Sequence, residues 1–293
     1  MPIYMYHRVY SQKTRHTFSG YSDAGIVLPV EKFIAQIRKI KQKYTVLSLH
    51  ELASLLRDQE SVPKNSCVLT VDDGFHDAHD VILPVLREAQ ITATFFITGN
   101  FLAGTNQVRW LDLYYYLLDN VTSDDIDRII KKIYLGLPSE DSAHIAFKKI
   151  LRRSKSKEQR RLLSEFAREA GVVPDVKALN QGLYLSTENI VEMLDCGMSF
   201  GAHGMMHQEL ANLDAEEQHF EISESLRVIK RISGLSNPPF AYPFGGTSSY
   251  SPKTVSIVAA CGAICGCTSI PQMNTTSTPL LELRRIPAET LNV

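Results

Sequence analysis

Cysteine is scarce in this chain: five in 293 residues (Cys67, Cys196, Cys261, Cys265 and Cys267), an odd number set mostly in apolar runs. That excludes a disulfide framework and predicts reduced, buried thiols. An excess of either charge is lacking too. Lys and Arg total 31 against 32 Asp and Glu, a formal net charge of −1, so the chain as a whole is not a polyanion binder and no nucleic-acid partner is expected. No apolar run approaches the roughly 18 residues a membrane span needs. The opening stretch, MPIYMYHRVY, lacks a basic segment followed by a long apolar one; it does not read as a secretion signal, and a cytoplasmic location is expected. Internal repeats, low-complexity tracts and a linker between independent domains are also absent, so residues 1–293 are expected to form one domain.

What is present is alternation. PIYMYH, SCVLTVDD, ITATFFITG, MSFGAHG, PFAYPFGG, AICGCTS and LELRRIPA read as strands. PVEKFIAQIRKIKQKY, HDVILPVLREAQ, STENIVEMLDCG, DAEEQHFEISESLRVIKRISG and PKTVSIVAACG read as helices, and TVLSLHELASLLRD as a short strand and then a helix. The polar stretch RVYSQKTRHTFSGYSDAG reads as loop. Repeating strand–helix units predict an α/β fold with a parallel sheet covered by helices, either closed or open. Residues 102–185 break the rhythm. They offer helical patterns only and are expected to be a helical insertion.

Three short stretches carry chemistry. In TVDDG, residues 70–74, an apolar strand runs straight into two adjacent carboxylates, Asp72 and Asp73, and then a glycine. Neighbouring strand residues face opposite sides, so both serve one site only where the strand ends. Two carboxylates held close favour a proton or a cation between them. In HGMMH, residues 203–207, His203 and His207 are four apart, close enough on a helical turn or tight loop to face one point. Two histidines and a carboxylate are a common ligand set for a catalytic divalent metal. A zincin helix would have Glu after the first histidine, and Gly204 stands there instead. In FAYPFGG, residues 240–246, aromatics and a proline lead into a glycine pair, a loop type that can aim a backbone N–H into a pocket.

Taken together, the three motifs resemble the polysaccharide deacetylase family (carbohydrate esterase family 4, the NodB homology domain), and more closely its subgroup that opens with a Tyr-His pair and carries F-A-Y-P-[YF]-G. Thr70-Val71-Asp72-Asp73-Gly74, His203 to His207 and Phe240 to Gly245 match its motifs in order. The resemblance implies a distorted (β/α) barrel and removal of an N-acetyl group from an amino sugar, with a divalent metal, Zn2+ the expected ion. It implies Asp73, His203 and His207 as metal ligands, Asp72 as the general base, and the Phe244 N–H as the oxyanion donor. The family's usual late histidine is absent, since none follows His219; the subgroup pattern puts His7 in the role of general acid. Ala241 replaces the arginine that normally holds the catalytic carboxylate. Arg285 is expected to supply that charge, with Arg284 and Arg8 as other candidates. Together with the expected location, the resemblance points to a cytoplasmic or membrane-associated precursor of a surface polysaccharide. A formamido sugar, a small cyclic amide, or a sugar-binding protein without catalysis are the alternatives.

The remaining features read as structure first. His76 and His79 are expected at the polar start of the next helix. KKILRRSKSKEQRR carries eight Lys or Arg in fourteen residues; it reads as a solvated helix face, or as a patch for peripheral membrane contact. Trp110 and Tyr114 to Tyr116 read either as a sugar-stacking surface or as packing inside the insertion.

Overall fold

All six residues of SCVLTV, Ser66 to Val71, are buried. A strand apolar on both faces belongs inside a parallel sheet with both faces covered, and this one lies at the centre. In chain order the strands are β1 (Ile3–Tyr6), β2 (Arg8–Tyr10), β3 (Val27–Pro29), β4 (Thr45–Leu47), β5 (Ser66–Val71), β6 (Thr94–Ile97), β7 (Ser199–Ala202), β8 (Phe240–Ala241), β9 (Gly266–Cys267) and β10 (Ile286–Pro287). The computed structural model describes residues 1–11, 14, 18–102, 107–134 and 142–291. The main sheet runs β10-β1-β5-β6-β7-β8-β9, with β4 beside the first half of β5, and every pairing in it is parallel. It curls into a half-barrel. Its two ends approach each other through the final segment: Leu283 bridges to Cys267 of β9, while Ile286 and Pro287 pair with β1.

Because the strands are parallel, their C-terminal ends share one rim. His7 follows β1, Asp72 and Asp73 follow β5, His203 follows β7, and Tyr242 to Phe244 follow β8. Helices hold the sheet from outside by their apolar stripes. In Val30–Lys43 the buried Phe33, Ile37 and Ile40 fall at helical spacing. Helix Thr187–Asp195 starts with a reciprocal cap between Ser186 and Asn189. Helix Ala215–Ser233 starts with one between Asp214 and Glu217, and ends on Gly234 in the left-handed region.

Two expectations change. LELRRIPA is not one strand: Leu280–Glu282 is a single 3-10 turn closed by Glu282 N–H onto Pro279 carbonyl, Leu283 makes a lone bridge, and only Ile286–Pro287 forms a strand. The stretch read as loop after β1 holds β2 and helix Ser19–Asp23, and β2 is fixed by pairing with β3 seventeen or more residues away, which local pattern does not encode. The helical stretch over 102–185 includes residues 103–106 and 135–141, which lie outside the described residues. Its described helices bury Trp110, Tyr114, Phe147, Phe166 and Leu183 in a second core, shared with Tyr21 and Phe75. The thiols of Cys67, Cys265 and Cys267 are buried, those of Cys196 and Cys261 half-buried, and all five are free.

Candidate active site

β5 delivers two adjacent carboxylates to one cavity by ending at Val71, just before them. Asp72 still bonds to β1, its N–H donating to the Tyr6 carbonyl at 2.9 Å. Asp73 then turns into the left-handed region (φ 80°) and Gly74 follows at φ 72°. A non-glycine residue there costs about 1–2 kcal/mol, and it is held by its partners. Of the six non-glycine residues with positive φ among those described, three are Asp73, His207 and Phe244, the kind of concentration that marks a working site.

The carboxylates have separate guanidinium partners. Arg285 reaches Asp72 with both arms, Nη1 to Oδ1 at 2.6 Å and Nη2 to Oδ2 at 2.7 Å, while its Nε donates to the Thr268 carbonyl at 2.8 Å. Arg284 has its backbone fixed by Asn274, and Arg8 is committed to Asp77. Burial alone would raise the Asp72 pKa, but Arg285 and then His203 hold it below the usual carboxylate value.

Asp73 faces Arg109, whose Nη1 lies 2.6 Å from Asp73 Oδ1, a close ion pair without hydrogen-bond alignment. His207 Nε2 stands 3.3 Å and His203 Nε2 3.6 Å from the same oxygen. Burial opposes the charge on Asp73 as well, and Arg109 with His207 outweighs it, holding this carboxyl well below its ordinary range.

His203 ends β7 and is buried. Its Nδ1 lies 2.8 Å from the Ala241 carbonyl. A carbonyl only accepts, so Nδ1 carries the proton and Nε2 turns a lone pair toward Asp73. Burial drives the His203 pKa down to about 4, so the ring is neutral at neutral pH, the form a metal needs. The route to His207 is a tight loop and not a helical turn. Gly204 has φ 72°, and a Cβ on it would meet Glu221 Oε2 at 2.9 Å; that oxygen accepts the N–H groups of Met205 and Met206 at 2.9 Å each. The His203 and His207 rings are 4.8 Å apart at 76°.

Donor atoms of Asp73, His203 and His207 all lie within 4.8 Å of one another. The set suits a divalent metal: an ionised carboxylate, a histidine fixed in the ligating tautomer, and a second imidazole beside them. His7 lines the same cavity, half-buried, with its Nδ1 unpartnered among the described residues. Phe244, at φ 62°, accepts from Ser269 Oγ at 2.6 Å through its carbonyl, while its N–H has no acceptor among the described residues. The cavity holding these groups measures about 490 Å³.

Arg109 escaped the sequence reading. It stands at the start of helix Trp110–Asp119, fully buried, and binds Asp112 with two arms (Nε to Oδ2 2.6 Å, Nη2 to Oδ1 2.9 Å). Tyr21 and Tyr184 hydroxyls donate to the same carboxylate. A charged pair spaced i, i+3 within an otherwise apolar helix was the available signal. Trp110 and Tyr115 line the cavity and also sit in the second core, as the packing reading expects, while Tyr114 is in that core alone. His79 bonds Asp80 and Glu192 at the surface of its helix, whereas His76 is buried.

Replacing Arg109 with methionine strands Asp73 and Asp112 in the interior, and losing one partner of a buried ionic cluster costs about 3–5 kcal/mol. Urea denaturation of the metal-free protein measures this; a loss below about 1 kcal/mol would mean the cluster carries no net stability.

A model of the polysaccharide deacetylase family matches residues 59–264. The match takes in Asp72, Asp73, both histidines and Phe244, and leaves out His7 and Arg285. YxkH of Bacillus subtilis (strain 168), which carries a provisional polysaccharide-deacetylase name, is 32% identical over 101 residues, 34% of this chain. The aligned stretch spans about a third of YxkH, 32% of its length. Among solved structures, a Streptococcus pyogenes deacetylase, PplD, in complex with acetate superposes with a TM-score of 0.63 at 20% identity, over 98% of this chain and 91% of that one. A de-N-acetylase from Aggregatibacter actinomycetemcomitans does so at 0.62 and 13%, over 99% and 96%. At such identities the agreement is one of fold.

Proposed function

The chain belongs to the polysaccharide deacetylase family, and from that premise we propose that it is a metal-dependent hydrolase removing the N-acetyl group from an amino sugar. The observation that carries this reading is the division of the DD pair: one carboxylate lies with two histidines as a donor set, and its neighbour is gripped separately by Arg285. A divalent ion held by Asp73, His203 and His207 would supply a Lewis acid that polarises the amide carbonyl and acidifies the attacking water.

The protein's own residues divide the rest of the work. Asp72, ionised at neutral pH, accepts the proton that water releases on attacking the carbonyl carbon. Arg285 makes it a weaker base but fixes which oxygen faces the site. The Phe244 N–H donates to the oxygen that gains charge. As the C–N bond breaks, His7 gives the leaving amine its proton, and acetate and a free amino sugar result. Arg285 fills the place of the arginine missing at Ala241, which removes the main support for a sugar-binding protein without catalysis. Residues 1–293 are read as one catalytic domain, with 102–185 an insertion that lends Arg109 to the ligand carboxylate. Among the described residues, no helix is long and apolar enough to cross a membrane.

Purified wild-type protein is expected to hold about one divalent ion per chain and to free acetate from N-acetylated sugars. Elemental analysis with an acetate assay over a panel of such sugars checks both. A protein that stays metal-free under replete conditions would sink the reading.

A further inference from the structure

Six of the eight cations in the basic run are exposed, as a solvated face requires, and two are not. Helix Ala143–Arg153 turns two of its cations, Lys148 and Arg152, one helical turn apart, into the wall of the active cavity. Four cationic residues line that cavity, and three are committed. Arg285 binds Asp72, Arg109 binds Asp73 and Asp112, and Arg152 binds Glu209 while lying 4.3 Å over the Phe244 ring. Lys148 is the exception. It is half-buried, its ammonium donates to the Tyr115 hydroxyl at 2.5 Å and sits 5.0 Å from that ring's centre, and it has no carboxylate partner among the described residues. Asp23, the one carboxylate that acts on it from a distance, is exposed and makes no ion pair with it. Burial first, and then Arg152, lowers the Lys148 pKa. A cation kept in such a place without a counter-charge is stabilised when a ligand brings one.

We propose that the cavity binds an acetamido sugar carrying a phosphoryl group, and that Lys148, with Arg152 beside it, is the residue pair that reads the phosphoryl. The proposal rests on the deacetylase reading of the same site. The contacts set the distance scale. Arg152 covers Phe244, whose ring is 4.9 Å from that of His207, so the anion wall lies a ring's width from the donor set. A sugar could place its acetamido group over the donors while its phosphoryl met the helix. An ammonium is a sound point charge for a phosphoryl oxygen.

The test compares acetate release from N-acetylglucosamine 1-phosphate with release from a neutral N-acetylglucosamine oligomer, in the metal-loaded wild type, Lys148→Met and Lys148→Arg. Titration calorimetry of N-acetylglucosamine 1-phosphate into the same three proteins accompanies it. A wild-type ratio of kcat/KM favouring the phosphorylated sugar by about tenfold or more is expected, falling toward one in Lys148→Met and recovering in Lys148→Arg. A ratio that is the same in wild type and Lys148→Met overturns the phosphoryl site and leaves the deacetylase reading intact. Lys148-dependent binding of the phosphorylated sugar without acetate from any substrate keeps the phosphoryl site and overturns the deacetylase reading. Neither binding nor release removes both. UDP-N-acetylglucosamine and a prenyl-pyrophosphoryl-N-acetylglucosamine, run beside the monophosphate, identify the source by whichever shows the largest Lys148-dependent gain; if neither exceeds the monophosphate, the substrate is the simple sugar phosphate.

Discussion

Replacing His203 with alanine is expected to remove the bound divalent ion and to lower acetate release by about a thousandfold or more. The magnitude follows from what the ion supplies: stabilisation of developing charge worth several kcal/mol, at 1.36 kcal/mol per tenfold in rate. No nearby group can replace the ligand. The ring is buried, its Nδ1 is tied to the Ala241 carbonyl, and its Nε2 is the atom turned toward Asp73. Removing it also leaves that carbonyl without its donor, a further cost of about 1–3 kcal/mol in stability, within the roughly 5–15 kcal/mol of a typical domain. Metal analysis and the acetate assay on one preparation give both readouts, and a chelated wild type should behave like the variant. If His203→Ala retained a full equivalent of metal and its turnover, the ligand set assigned here would be wrong.

How much of this was legible in the sequence depends on how far apart the cooperating residues stand. The DD pair is contiguous and the histidines are four apart, so local reading singled them out, whereas Phe244 was named through the resemblance of its FAYPFGG loop to a family motif. The helices were legible for the same reason: caps and apolar stripes are local, as in Ser186 with Asn189 or Phe33, Ile37 and Ile40. The preference for Arg285 over Arg284 had weaker local support. Alternation cannot fix the phase of a strand two residues long, and the matter is decided by Thr268, whose carbonyl receives Arg285 Nε after the chain has crossed the end of the sheet. Arg109 was illegible in another way. Its target, Asp73, is thirty-six residues back in the chain and reached from an element outside the strand–helix alternation. Charge patterning misread Lys148 and Arg152 because it counts cations without knowing which face packs. The insertion's own aromatic core rotates those two inward.

Asp72→Asn is expected to keep the metal and to lose turnover by about 10²–10⁴-fold, the usual contribution of a general base. The ligand set does not include Asp72, and asparagine keeps its shape and one acceptor for Arg285 but cannot take a proton at neutral pH. Metal content near wild type with kcat collapsed is therefore the signature; loss of both together would mean that the two carboxylates form one unit. Arg285→Met separates charge from identity. In the wild type the Asp72 carboxyl is held below its ordinary pKa, so it is already ionised throughout the neutral range and its contribution to stability is present above the unfolded-state value, fading as pH falls through the folded one. Without Arg285, burial, the largest influence on this group, is no longer outweighed and the pKa rises. The acid limb of the pH–rate profile then moves to higher pH, and the linkage reverses sign: ionised Asp72 no longer adds stability above its unfolded-state pKa but costs it there. A rate profile in which kcat falls in Arg285→Met with no movement of the acid limb would assign Arg285 to holding Asp72 in place and not to keeping it ionised.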